Sequence, residues 1–180
     1  SVISVNEIYR IGEDTPFAKY SVSNSLCISG GFTSENRFIS VFDSRAVVYD
    51  ASDEKNSFIS ILPEAASVTF AAACDDGAMI SYRTNDSDVE KLAAVDRTGA
   101  LHDIGTDISA SGYNCTLKGD FVYIGRYGRD SVEIRNIRTG ETLLTECGRD
   151  TGGANIIVTN EEQNEFILCF GSEGIKYNSK

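Results

Sequence analysis

Asp96-Arg97-Thr98-Gly99-Ala100 and Ile137-Arg138-Thr139-Gly140-Glu141 carry the same tripeptide, Arg-Thr-Gly, at an ungapped spacing of 41 residues. Glycine reaches the positive φ that a tight hairpin demands, and a neighbouring Asp or Asn can bond its own backbone there, so each copy reads as a turn. The same shift lays Ile39-Ser40 over Ile80-Ser81, Cys74 over Cys115 and Tyr82 over Tyr123. Outward from the turns stand short β-branched and aromatic runs, among them residues 37–42, 57–62, 78–82, 113–117, 121–124, 131–137 and 165–170. No stretch shows apolar residues recurring at three and four over several turns, so the chain is expected to be all-β.

Many short strands at even spacing mean a sandwich, a barrel or a propeller. A period of about 40–45 residues is what a four-stranded blade occupies, and this selects the propeller. The expectation is one domain over residues 1–180, a β-propeller of about four four-stranded blades. Its units span residues 17–62, 67–104, 112–146 and 154–177. The last unit is one strand short and the opening run, residues 2–9, is spare. The opening run is therefore expected to pair near residues 174–177 and zip the termini together. Four units make either a small ring or part of a larger one.

Residues 131–141, Ser-Val-Glu-Ile-Arg-Asn-Ile-Arg-Thr-Gly-Glu, resemble the third strand and closing turn of WD-repeat propellers. Arg135-Asn136 stands where that family places Trp-Asp, and Tyr49-Asp50 and Tyr177-Asn178 hold comparable positions. An aromatic there packs between blades, while Asp or Asn bonds the adjacent turn. The resemblance implies a rigid non-enzymatic scaffold for protein–protein interaction, a subunit of a larger assembly. The alternative is a propeller hydrolase or carbohydrate-binding protein using carboxylates gathered at the central channel.

Lys and Arg total 16 against 27 Asp and Glu, a formal net charge of −11, which disfavours non-specific nucleic-acid binding. No apolar run approaches the ~20 residues of a membrane span, so no membrane is expected as a partner. Cys27, Cys74, Cys115, Cys147 and Cys169 form no CxxC pair, and His102 is the single histidine, so no zinc site is expected. Five separated thiols read as reduced, mostly buried and intracellular, cytoplasmic or nuclear. Two glycosylation sequons, at Asn85 and Asn114, point weakly the other way.

Candidate chemistry is sparse. His102 lies in a strand-like run with no nucleophile or metal ligand beside it and reads as a solvent-facing residue. Asp75-Asp76, Asp86/Asp88 and Asp53-Glu54 lack the spacing of a calcium loop and read as solvated. Gly152-Gly153 and Gly171-Ser172-Glu173-Gly174 lack the lysine and following helix of a phosphate loop and read as turns. No catalytic residue, metal or cofactor is assigned. The local anomaly is Arg126-Tyr127-Gly128-Arg129, a basic loop in an acidic chain, joining the second and third strands of its unit. Arg and Tyr are enriched at binding hot spots, so Arg126, Tyr127 and Arg129 are the candidate partner-binding residues, facing an acidic protein segment.

Overall fold

Two-residue connections leave a chain no choice but to fold back on itself, and such connections set the topology. Cys74 pairs with Gly77 across Asp75-Asp76, and Lys118 pairs with Phe121 across Gly119-Asp120. A computed structural model describes residues 3–9, 11–16, 18–23, 27–32, 37–42, 45–50, 58–61, 65–84, 86–106, 113–160, 162 and 164–179. Its elements, in chain order, are a hairpin of β1 (Ile3–Ile8) and β2 (Ala18–Ser23), followed by four antiparallel meanders. Sheet one holds β3 (Cys27–Phe32), β4 (Arg37–Phe42), β5 (Arg45–Asp50) and β6 (Phe58–Ile61). Sheet two holds β7 (Ala65–Cys74), β8 (Gly77–Thr84), β9 (Ser87–Asp96) and β10 (Leu101–Thr106). Sheet three holds β11 (Tyr113–Lys118), β12 (Phe121–Arg126), β13 (Ser131–Asn136) and β14 (Thr142–Glu146). Sheet four holds β15 (Asn155–Asn160), β16 (Glu165–Phe170) and β17 (Glu173–Asn178). Among the described residues no helix is long and apolar enough to cross a membrane.

Successive sheets meet chiefly at or beside their first strands: β3 lies against β7, β11 against β8 and also β7, and β15 against β11. Radial sheets that converge on their first strands are the propeller arrangement. Strand alternation then sends neighbouring residues to opposite interfaces. In sheet two, Met79, Leu92, Ala94 and Ile104 join Leu117, Val122 and Ile124 of sheet three in one cluster. Their chain neighbours Ala78, Ile80, Ala93 and Val95 form a second cluster on the other face. Sheet three repeats the pattern, with Tyr123, Val132 and Ile134 turned to Ala154, Ile156, Phe166 and Leu168 of the sheet-four segment. The Phe166 ring sits edge-on to Tyr123 at 5.8 Å and stacked on Tyr177 at 5.6 Å.

The third strand of every sheet ends on Asp or Asn: Asp50, Asp96, Asn136 and Asn178. In sheets two and three the turns that follow Asp96 and Asn136 show what the residue does. Asp96 Oδ1 accepts the Thr98 and Ala100 amides at 2.8 and 3.0 Å, and the Asp96 carbonyl accepts the Gly99 amide at 2.9 Å. Asn136 Oδ1 accepts the Arg138 and Thr139 amides at 2.8 and 3.0 Å, and its carbonyl accepts the Gly140 amide at 2.9 Å. Gly99 and Gly140 close these turns at φ 84° and 76°, which requires glycine. The two Arg-Thr-Gly copies are thus equivalent, with Ile137 as one extra residue in the second turn.

Several expectations are corrected. The opening strand does not pair near residues 174–177: β1 pairs antiparallel with β2, Ile3 opposite Ser23 and Ile8 opposite Ala18. The run beginning at residue 17 therefore belongs to that hairpin, and β3, which the sequence pattern missed because Gly30-Gly31 interrupts it, opens sheet one. The ungapped shift also fails away from the turns. Cys74 ends β7 whereas Cys115 lies three residues inside β11, and Ile39 and Ile80 sit one register step apart. Cys74 and Cys115 are buried free thiols and Cys147 and Cys169 are half-buried ones, while the Cys27 side chain lies outside those described.

Asp96 also ties sheet two to sheet three. Its Oδ2 lies 2.9 Å from His102 Nε2 and 3.0 Å from Arg138 Nη2, and Arg138 Nε reaches Asp120 at 3.1 Å. Burial pushes the Asp96 carboxyl up, but the Thr98 hydroxyl, His102, and the Thr98 and Ala100 amides outweigh it and hold the group below its ordinary range. A carboxyl depressed in the folded state stabilises the fold above its unfolded pKa of about 3.9, and that stability is lost as pH falls through the folded value. Asn fits the same turn in sheet three but carries no charge. Asp96→Asn is therefore expected to lower the melting temperature at neutral pH and to flatten its decline between about pH 5 and pH 2. Parallel melting-temperature curves for the two proteins would contradict this role for Asp96.

Candidate functional site

The basic loop connects β12 to β13, as its place in the repeat implied, and a neighbouring segment holds it in position. Antiparallel order puts the β12–β13 and β16–β17 turns at one end of their sheets, together with the crossing from β14 to β15. That crossing, residues 147–154, lies on the loop. The buried Thr151 hydroxyl accepts the Arg126 amide at 3.0 Å and reaches the Arg129 and Ser131 carbonyls at 3.2 and 3.0 Å. Thr151 N–H donates to the Arg129 carbonyl at 2.8 Å, and Cys147 N–H donates to the Asp130 carbonyl at 2.6 Å. Asp150 accepts the Gly128 and Gly152 amides, each at 2.9 Å, and these hold its carboxyl below the ordinary range. Gly152 is required by close approach, because a Cβ there would lie 2.5 Å from the Tyr127 Cα.

Clasped this way, the loop exposes its side chains. Tyr127 is 60% exposed, and Arg129 is exposed with no ion-pair partner among the described residues. Arg126 is half-buried and pairs through Nη2 with Glu133 Oε2 at 3.0 Å. Glu133 Oε1 is held in turn by Arg135 Nη2 at 2.8 Å, and Arg135 Nη1 donates to the Ile104 carbonyl of sheet two. Among the described residues Asp130 forms no ion pair with the loop's guanidinium groups, and its carbonyl accepts the Cys147 and Gly148 amides.

A cleft of about 210 Å³ opens beside the loop, lined by Ile124, Arg126, Arg129, Ser131, Glu133 and Leu144. Register explains the lining. Ile124 stands opposite Glu133, and Glu133 opposite Leu144, so the three form one row across sheet three. The row is buried at Ile124 and open at Leu144, which is 60% exposed. Nearby, the Arg149 guanidinium lies 3.9 Å from the Phe170 ring centroid and pairs with Glu173 at 3.1 Å, adding a cation to the same end of the sheets.

The other candidates fall elsewhere. His102 is half-buried against Asp96 and not the solvent-facing residue expected, because Asp96 needs partners for a carboxylate buried to 2% exposure. Asp75 is exposed and pairs with Lys118 at 3.2 Å, but Asp76 is buried and accepts the Gly119 amide at 2.8 Å, which corrects the reading of both as solvated. Asp86 and Asp88 are exposed, whereas Asp53 and Glu54 lie outside the described residues. A second cleft, about 230 Å³, sits between the inner strands of sheets two, three and four, and Asp75 is the carboxylate lining it among the described residues. The Asn114 sequon lies in β11, with the Asn114 side-chain amide bonded to the Ala154 carbonyl; Asn85 is outside the described residues. Thr151 was missed by the sequence reading, because a threonine ahead of two glycines carries no signal of what it will touch. Thr151→Val, which keeps the shape and deletes the hydroxyl, is expected to destabilise the protein by about 1–3 kcal/mol and to speed amide exchange at Arg126. Wild-type exchange at Arg126 in a stable variant would contradict the clasp.

No family model and no curated protein matches the chain. Solved structures do. The β-propeller domain of Cps50 (Swd1) from Myceliophteria thermophila is 10% identical, with 91% of this chain and 60% of that one covered at a TM-score of 0.53. BBS1N, solved in complex with ARL6DN, is 14% identical, with 92% and 56% covered at 0.52. The chain spans little more than half the length of either protein. At these identities the likeness carries the architecture alone, and with the radial sheets it establishes that the chain has the β-propeller fold.

Proposed function

We propose that this chain is a non-enzymatic protein-interaction module, a WD-repeat-like propeller scaffold that docks acidic protein segments on its β12–β13 loop. The observation that carries the reading is an exposed Arg129, without an ion-pair partner among the described residues, beside a Tyr127 that is 60% exposed, both set on a backbone clasped by buried Thr151. A rigid loop loses little entropy on binding, and an aromatic–arginine pair is the usual anchor of a protein interface. BBS1N, a propeller of similar fold, was solved holding a protein partner, ARL6DN. The hydrolase or lectin alternative draws less support, since Asp75 in the axial cleft is already bonded to Lys118. Buried free thiols at Cys74 and Cys115 favour a reducing, intracellular setting, and there the module would serve as one subunit of a larger assembly.

Arg126→Ala combined with Arg129→Ala is expected to cost no more than about 1–2 kcal/mol of folding stability, since Arg126 is only partly buried and Glu133 keeps Arg135 as its partner. Partner binding should weaken by about 2 kcal/mol or more, read as loss of proteins recovered with the chain after mild cross-linking. Recovery equal to wild type would remove the loop from the interface.

A further inference from the structure

Resting on that docking surface, we infer that the cleft beside the loop is a subsite for one carboxylate-bearing side chain of an extended acidic peptide segment. The adjacent apolar residue of that segment would lie on Leu144. Size comes first. About 210 Å³ holds a side chain or two but no folded element, so what enters is a residue of an extended strand.

Charge gives the identity of the residue. Two arginines flank the cleft, but Arg126 is committed to Glu133, and Glu133 is shared with Arg135. Arg129 remains as the one lining guanidinium without an ion-pair partner among the described residues. A single uncommitted guanidinium suits a monoanionic carboxylate, which it can grip through two parallel hydrogen bonds, with the Ser131 hydroxyl beside it as a further donor. A dianionic phosphoryl group would face Glu133 inside the cleft, with Arg129 as the one lining cation free of an ion pair among the described residues, and repulsion would offset the gain. The net charge of −11 keeps acidic segments away from most of this surface, so a local basic cleft is also a device of selectivity.

The apolar half of the subsite follows from register. Leu144 stands opposite Glu133 across β13 and β14, on the row that begins with buried Ile124. A ligand carboxylate at Arg129 therefore has an exposed apolar surface within one residue's reach, and a β-strand places successive residues about 3.3 Å apart. The ligand is an acidic residue next to a leucine-like one. Glu133 has a role here as well: pinned by Arg135, it holds Arg126 as a fixed wall of the cleft.

The test is an NMR titration of the ¹⁵N-labelled full chain with the capped hexapeptide Gly-Ser-Glu-Leu-Gly-Ser, its glutamine counterpart, and a counterpart with phosphoserine replacing the glutamate. The glutamate peptide should shift the amide signals of Arg129, Ser131 and Leu144. Affinity should drop at least about tenfold for the glutamine peptide and for the Arg129→Ala protein, and it should drop for Leu144→Ser. Arg97→Ala, in the turn at the opposite end of sheet two, should leave binding unchanged. Equal binding of the glutamine peptide, shifts that survive Arg129→Ala, tighter binding of the phosphoserine peptide, or no shift at about 10 mM peptide would each overturn the assignment. If the peptide fails while the Arg126→Ala, Arg129→Ala protein still loses its partners, the docking surface stands and the carboxylate subsite falls.

Discussion

The stacking of sheets two and three depends on burying both faces of their inner strands at once. An antiparallel sheet ordinarily packs one face on a core and leaves the other to water. Here β12 is buried at Val122, Tyr123 and Ile124 in succession, and Ala78, Met79 and Ile80 of β8 are likewise all buried. A strand of that kind needs an apolar layer on each side, and one sheet cannot supply both. Neighbouring sheets can, if they stand face to face and share their interfaces. Each fully buried Leu, Ile or Phe contributes roughly 1.5–3 kcal/mol to that stacking, so the interfaces dominate the energy of the fold.

Shared interfaces create a second problem, because the turns at the sheet ends must meet without stranding polar groups. Asp96 and Asn136, which end the third strands of sheets two and three, answer it. Asp96 satisfies its own turn and then accepts Arg138 from the next sheet, while Asp76 accepts the Gly119 amide across the same interface. At the opposite end, Thr151 does comparable work with one hydroxyl bonded to several backbone groups. The exposed arginine–tyrosine loop is a by-product of that rigidity. Its backbone is bonded to the segment beneath it, and Tyr127 and Arg129 are left exposed.

The architecture was legible in the sequence because turn chemistry is local. Arg-Thr-Gly after Asp96 and before Glu141 marks the same turn in sheets two and three, and the β12–β13 connection was placed correctly from it. Register was not legible. The bulges in β7 near Ser67 and Thr69, and the extra Ile137 in one turn, break a constant spacing, so the equivalence of Asp96 with Asn136 was hidden by one residue. Val95 stands before Asp96 where Tyr49 and Tyr177 stand in sheets one and four, and without the aromatic the position passed unnoticed. The pairing of β1 with β2 was equally invisible, because strand alternation states which face is apolar and not which edge a strand will join. The loop residues of the site could be picked out by charge, but its cleft could not. The row from Ile124 through Glu133 to Leu144 exists only once the strands are in register.

Alternation of neighbouring residues between two interfaces is the claim on which this account stands, and methyl NOEs measure it directly. In protein labelled at Met, Ile, Leu and Val methyls, the Met79 methyl should show cross-peaks to at least one of Leu117, Val122 and Ile124, and Ile80 should show none to these three. Cross-peaks from both residues to sheet three, or from neither, would contradict the stacked, two-faced arrangement of the sheets.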